Sequence, residues 1–235
     1  MDIRLDGTNP LLPKINIKPL VEKPKKALTA KLQGDSLKLS GTYIPPAEST
    51  WYKVKRKVAL ELTGVNVEHS RALTKEMADT VLPQMKPGDL LLRRTDYGSA
   101  NMAIPGFYGH AAVYVGDGTI IDATTHGVRK ISVQDFFAEG DHAMVIRPKA
   151  MTEENADKTV KFLEQQVGKV YDYDLDDDNN DRFTCTELAS KAMQAGLGKN
   201  VAEKNIFGAT NPDGFRNENF DLVWGSNPDE TSLGK

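Results

Sequence analysis

Cysteine is almost absent from this sequence: Cys185 is the single thiol among 235 residues. An intramolecular disulfide framework and a zinc site built from several thiolates are therefore excluded. Histidine is nearly as scarce. His69, His110, His126 and His142 are the full set, and no two of them stand at the His-x-x-x-His spacing that places two imidazoles on one helix face. No metal and no other cofactor is implied. No apolar run approaches the roughly 18 residues of a membrane-spanning helix, and the start, MDIRLDGTNP, lacks the apolar stretch of a secretory leader. A cytoplasmic location is the expectation.

What is present is an ordinary globular balance, 39% hydrophobic and 27% charged, enough for one core of roughly 150 residues with appended segments. The net charge of -3 hides an asymmetry, because residues 1–80 carry 14 Lys/Arg against 9 Asp/Glu and the remainder carries 16 against 24. Six prolines within the first 46 residues break any sustained period. Residues 1–80 thus read as a basic N-terminal arm and 81–235 as the folded domain. Such an arm implies weak contact with a polyanion or a membrane surface and no specific nucleic-acid binding.

Residues 51–67 fit either a strand or a short helix. From Thr74, Met77, Val81 and Leu82 fall at helical spacing until Pro83, and KPGDLLLRR reads as a turn feeding a strand. GHAAVYV, the turn Gly116-Asp117-Gly118 and TIIDAT form a β-hairpin, a short helix starts at Ser132, and HAMVIRP is another strand. Thr152 caps a helix with Ala156, Val160, Leu163 and Val167 on one stripe and Gly168 as terminator. Thr184-Cys185-Thr186-Glu187 is a capping box that opens LASKAMQAG. Phe220, Leu222, Val223 and Trp224 suggest a last strand or docking segment.

The capping box puts Cys185 at the first helical position, where unpaired N–H groups and the helix dipole favour a thiolate. A lone cysteine is also often a buried small hydrophobe. A nucleophilic thiol needs an imidazole, and His110 opens the first hairpin strand. If Gly116–Gly118 make a three-residue loop, Ala112 opposes Asp122, and His110 and Asp122 become diagonal neighbours on one face. A two-residue loop reverses that parity.

In PGDLLL, GHAAVYVGDGTIIDAT, GKVYDYD and FTCTELASKA, in that order, the chain resembles the permuted papain-like thiol hydrolases of the YiiX/YaeF type, a branch of the NlpC superfamily. The resemblance covers about Pro87 to Trp224. It implies an α+β, circularly permuted papain-like (NlpC-type) fold, an antiparallel sheet packed on the helix that bears the cysteine. It further implies Cys185 as nucleophile, His110 as general base and acid, and Asp122, where the family more often has Glu, as the group that orients the imidazole. The expected activity is a cysteine-dependent hydrolase that cleaves an amide (peptide or peptidoglycan-like) or ester carbonyl through an acyl-enzyme. Two alternatives are a lipid acyl hydrolase or acyltransferase, and a non-catalytic calcium- or ligand-binding module.

Around this trio, Tyr171 and Tyr173 are candidate oxyanion donors, although aromatic residues there more often pack, and His126 is a candidate substrate contact that turn chemistry with Gly127 explains equally well. Glu187 is accounted for by the capping box. The acidic run Asp176, Asp178, Asn180 to Glu187 follows the spacing of an EF-hand loop, but Asp181 stands where the sharp turn needs glycine, so a solvated loop is expected. His69 and His142 read as surface or packing residues.

Overall fold

The computed structural model describes residues 47–63, 71–96, 106–174, 180–204 and 210–226. His69, Asp176 and Asp178 lie outside them. In chain order the elements are α1 (Thr50–Thr63), α2 (Lys75–Val81), β1 (Leu90–Arg94), β2 (His110–Gly116), β3 (Thr119–Thr124), β4 (Gly127–Ser132), α3 (Val133–Ala138), β5 (His142–Pro148), α4 (Glu153–Glu164), β6 (Val170–Tyr171), β7 (Arg182–Phe183), α5 (Cys185–Leu197) and β8 (Phe220–Gly225). Six of the strands form one sheet in the order β4-β3-β2-β1-β5-β8, antiparallel at every pairing. The fold is α+β, an antiparallel sheet packed on the helix that bears Cys185, the arrangement the resemblance implies.

Alternation along the strands sorts the core onto the two faces of this sheet. Leu90, Leu92, Ala111, Val113, Ile121 and Ala123 pack with Leu188, Ala189, Ala192 and Met193 of α5. Leu91, Ala112, Tyr114 and Ile120 face the other way, against Ala78 and Val81 of α2 and Val133, Phe136 and Phe137 of α3. Among the described residues the sheet is thus covered by a helix pair on either side, α4 with α5 and α2 with α3.

Two sequence readings change. Residues 51–67, left open between strand and helix, contain α1, whose inward face carries the fully buried Tyr52. Leu73, Ala78 and Val81 belong to the core under β1 and β2, so residues 47–63 and 71–81 lie within the compact unit Thr42–Lys235, and a boundary at 80/81 does not separate them from it. Composition marks the surface of these helices as basic; it does not reveal which few side chains point inward. The α4 helix ends at Glu164, and a turn carries the chain from there to Gly168 at a φ of 88°.

The first hairpin reaches its expected register by another route. Asp117 and Gly118 both have positive φ, 49° and 68°, the pattern of a two-residue turn that closes a Gly116–Thr119 pair. By itself this turn gives the wrong parity. A bulge between Tyr114 and Gly116 inserts one residue and restores it, so that Ala112 faces Asp122 after all.

Candidate active site

Cys185 occupies the first position of α5 because the Thr184 side chain accepts from the Glu187 N–H at 3.1 Å while the Glu187 carboxylate accepts from the Thr184 N–H at 3.3 Å. The capping box uses those two donors and leaves the Cys185 N–H in the unpaired first turn. The α5 helix lies along β2 and β3, and its N-terminus meets the start of β2, which brings the Cys185 sulfur close enough to His110 and to the Ala111 N–H for both to favour its ionised form.

His110 is the first residue of β2, and its side chain falls on the opposite face of the sheet, with the ring 5.9 Å from that of Phe136. Its Nε2 lies 2.8 Å from Asp122 Oδ2. Since Nε2 is engaged there, Nδ1 is the nitrogen left to face the thiol. The imidazole therefore reaches round the end of the sheet, joining a carboxylate on one face to a sulfur at the helix terminus on the other. Asp122 is completely buried and Cys185 nearly so.

Burial by itself would discharge all three groups, and their mutual charges outweigh it. It would lower the His110 pKa, yet the Cys185 charge and the Asp122 hydrogen bond raise it to about 9. It would push the Cys185 thiol up, yet the His110 charge and hydrogen bond and the Ala111 N–H hold it below its usual value. Asp122 goes down to about 2 for the same kind of reason, through His110 and Arg129. All three shifts run in one direction: each group's neighbours favour its charged form, a thiolate and an imidazolium backed by a carboxylate.

The other sequence candidates divide. Tyr171 lies near the sulfur: burial, and next to it the Cys185 charge, drive its phenol above the ordinary range. Tyr173 already donates its hydroxyl to the Thr125 carbonyl at 3.0 Å. His126 is exposed in the β3–β4 turn, with its N–H donating to Thr124 Oγ1 at 3.3 Å. His142 pairs with Asp96 at 3.2 Å and sits edge-on to Phe107, a packing role. Glu187 has its oxygens on the Thr184 N–H and on Lys191 Nζ at 2.9 Å. Among the described residues no group of three or more His, Cys, Asp and Glu side chains is placed to hold a metal ion.

Two neighbours of the site escaped the sequence reading. Arg129, directly across β3–β4 from Asp122, grips that carboxylate through Nε at 2.9 Å and Nη2 at 3.1 Å. Its signal was available, because Thr125 and His126 are a two-residue turn whose register sets 129 opposite 122. Tyr52 of α1 donates its hydroxyl to the Tyr171 carbonyl at 2.5 Å, packs edge-on to Tyr173 and lies beneath the Arg182 guanidinium at 4.0 Å. No local pattern announces that contact, since the partners are 119 residues apart.

With this geometry in place, the family model described as permuted papain-like amidase enzyme, YaeF/YiiX, C92 family, matches residues 84–225. The chain belongs to that family. Within the permuted papain-like amidases, it is 26% identical over 115 residues to the probable lipoprotein peptidase YaeF of Escherichia coli K12. That alignment takes in 47% of this chain and 42% of YaeF, so the chain matches less than half the length of this relative. The crystal structure of metalloprotein yiiX from Escherichia coli O157:H7 superposes with a TM-score of 0.53 over 62% of this chain and 99% of the other, at 19% identity, a likeness of fold. His110, Asp122 and Cys185 all fall within the matched residues.

Proposed function

We propose that the protein is a cysteine-dependent hydrolase that opens an amide, peptide or peptidoglycan-like, or an ester carbonyl through an acyl-enzyme, within the NlpC superfamily. The observation that carries this reading is the His110 ring held between Asp122 and the Cys185 sulfur.

In the proposed reaction the Cys185 thiolate attacks the carbonyl carbon, and the oxyanion forms against the Cys185 N–H, with the Tyr171 hydroxyl as a second donor. His110 gives its proton to the leaving amine or alkoxide as the tetrahedral intermediate collapses to a thioester. It then takes a proton from water, which attacks the thioester and releases the acid. Asp122 holds the ring and balances its charge in both half-reactions.

The exposed face of α1 favours a second reading, a lipid acyl hydrolase or acyltransferase. Trp51 is 73% exposed and shares one helix face with exposed Val54 and Val58, with Lys53, Lys55 and Lys57 exposed on the same helix, a combination suited to an anionic lipid surface. Among the described residues no helix is long and apolar enough to cross a membrane. A relative named as a lipoprotein peptidase argues against the cytoplasmic location expected from the sequence.

Intact-protein mass spectrometry after incubation with two sets of electrophilic probes, peptidyl vinyl sulfones, which a thiolate adds to at the vinyl carbon, and activated fatty-acyl esters, from which it takes the acyl group, tests both readings. The first predicts one adduct on Cys185 from the peptidyl set, absent in His110→Ala; a fatty-acyl adduct alone supports the lipid reading. No adduct from either set, with Cys185 intact, removes the hydrolase.

A further inference from the structure

Behind the His110–Asp122 pair the charges continue. Asp122 Oδ1 accepts from Arg129 Nε, and Oδ2 accepts from both Arg129 Nη2 and His110 Nε2. The same guanidinium binds Glu139, with Nη1 at 3.3 Å from Oε1 and Nη2 at 3.0 Å from Oε2. Glu139 Oε2 accepts in turn from Arg93 Nη1 at 2.9 Å, and Arg93 Nη1 also donates to the Phe136 carbonyl at 2.8 Å. Arg93 lies 4.5 Å over the Phe136 ring, against which His110 packs. Arg93 is moreover the cross-strand partner of His110. The row closes on itself around Phe136, on the sheet face away from α5.

Taking up the hydrolase reading above, we propose that Arg129 is a positioning residue whose planar fork fixes the Asp122 carboxylate so that Oδ2 stays on His110 Nε2. An aspartate held by one imidazole alone is free to turn about its last torsion, and its arm is a methylene shorter than the glutamate more usual in the family. The side-on fork removes that rotation, because both oxygens must keep their donors. Charge is only part of what Arg129 supplies: it helps to keep the buried Asp122 ionised. A cation beside Asp122 competes with the imidazolium for the same carboxylate, and Glu139 is placed to offset it. With Cys185 and His110 ionised, the six groups carry three positive and three negative charges. Orientation is what the two-donor fork adds beyond charge.

The test is the pH profile of Cys185 alkylation by iodoacetamide, followed by mass in the full chain, which needs no substrate. Wild type, Arg129→Gln, Arg129→Lys, Asp122→Asn and the Asp122→Asn/Arg129→Gln double variant are compared, with circular dichroism to confirm folding. Arg129→Gln moves the profile towards a free thiol by about one pH unit, about tenfold in rate on its acidic side. Arg129→Lys, which keeps the charge and loses the fork, gives no rescue. In the Asp122→Asn background Arg129→Gln adds nothing, since its partner has already gone. A wild-type profile in Arg129→Gln, full rescue by lysine, or an additive effect in the double variant each overturns the positioning role. If Arg129→Gln does not fold, Arg129→Lys decides by the same profile. A free-thiol profile in the wild type overturns the hydrolase itself, whereas a depressed wild-type profile that every Arg129 variant retains overturns this proposal alone.

Discussion

His110 and Asp122 bond at 2.8 Å across two neighbouring strands although they are not opposite one another; Asp122 faces Ala112, and the imidazole reaches along the pair to it. Asp122→Asn keeps the shape and removes the charge that the imidazolium needs. Turnover of an acyl substrate is expected to fall by about one to four orders of magnitude. Because Arg129 loses its buried partner as well, stability also falls, by about 1–3 kcal/mol in urea unfolding. Near wild-type turnover would remove Asp122 from the site.

The pH dependence of activity follows from the two shifted groups. The Cys185 thiol ionises below its usual range and His110 keeps its proton up to about 9. The ion pair therefore exists between these limits, and kcat/KM should be bell-shaped, with an alkaline limb near pH 9 where His110 loses the proton it gives to the leaving group. In His110→Ala the alkylation profile of Cys185 should move up towards that of a free thiol, about 8.5. An alkaline limb near neutrality would mean that the His110 proton is not held as described.

Glu187 gives a stability signature of opposite sign to that of a normal ion pair. Burial pushes its carboxyl up to about 7, and Lys191 at 2.9 Å offsets this only in part. A raised carboxyl binds a proton more tightly in the folded chain, so stability is highest below its ordinary value of about 4.3 and declines as pH rises to about 7. Glu187→Gln retains an acceptor for the Thr184 N–H and has no charge to bury. Its Tm should exceed that of the wild type at pH 8 and lose the advantage at pH 4. An equal or lower Tm at pH 8 would show that the Lys191 pair outweighs burial.

Tyr52 is the latch of α1. Tyr52→Phe removes one hydrogen bond to the Tyr171 carbonyl and should cost about 1 kcal/mol. Tyr52→Ala also removes the ring between Tyr173 and Arg182. Hydrogen exchange over Thr50–Thr63 should then speed up while that of the central strands stays slow. Unchanged exchange in α1 would show that its other contacts suffice.

How far the sequence led depended on how local each signal was. The α3, α4 and α5 helices were legible because their caps lie within the segment: Ser132 caps α3 through the Asp135 N–H, Thr152 caps α4 through the Asn155 N–H, and Thr184 caps α5 through the Glu187 N–H. The His110–Asp122 pairing was legible in its parity, but for a reason only the backbone reveals, a tight turn whose error a bulge cancels. The α1 helix was not, since it turns inward with Tyr52 while Trp51 and Val54 stay exposed, so apolar periodicity points to the wrong face. The two-residue parallel pair of β6 with β7 has no periodic signal at all. Gly127 shows a third kind of blindness. A side chain there would meet the Lys169 carbonyl at 2.5 Å, so the turn after the acid-bearing strand is glycine because the chain leading to the cysteine runs against it.

The order of the chain also sets the order in which the site can come into being. His110 and Asp122 sit on one hairpin, a contact closed over a short loop and formed on the timescale of microseconds. The sulfur arrives only when α5 docks on β2 and β3, a long-range contact that closes a far larger loop. A nascent or misfolded chain therefore carries an ordinary thiol. The neighbours that favour its ionised form are met only once α5 has docked, so a shifted thiol and native topology appear together.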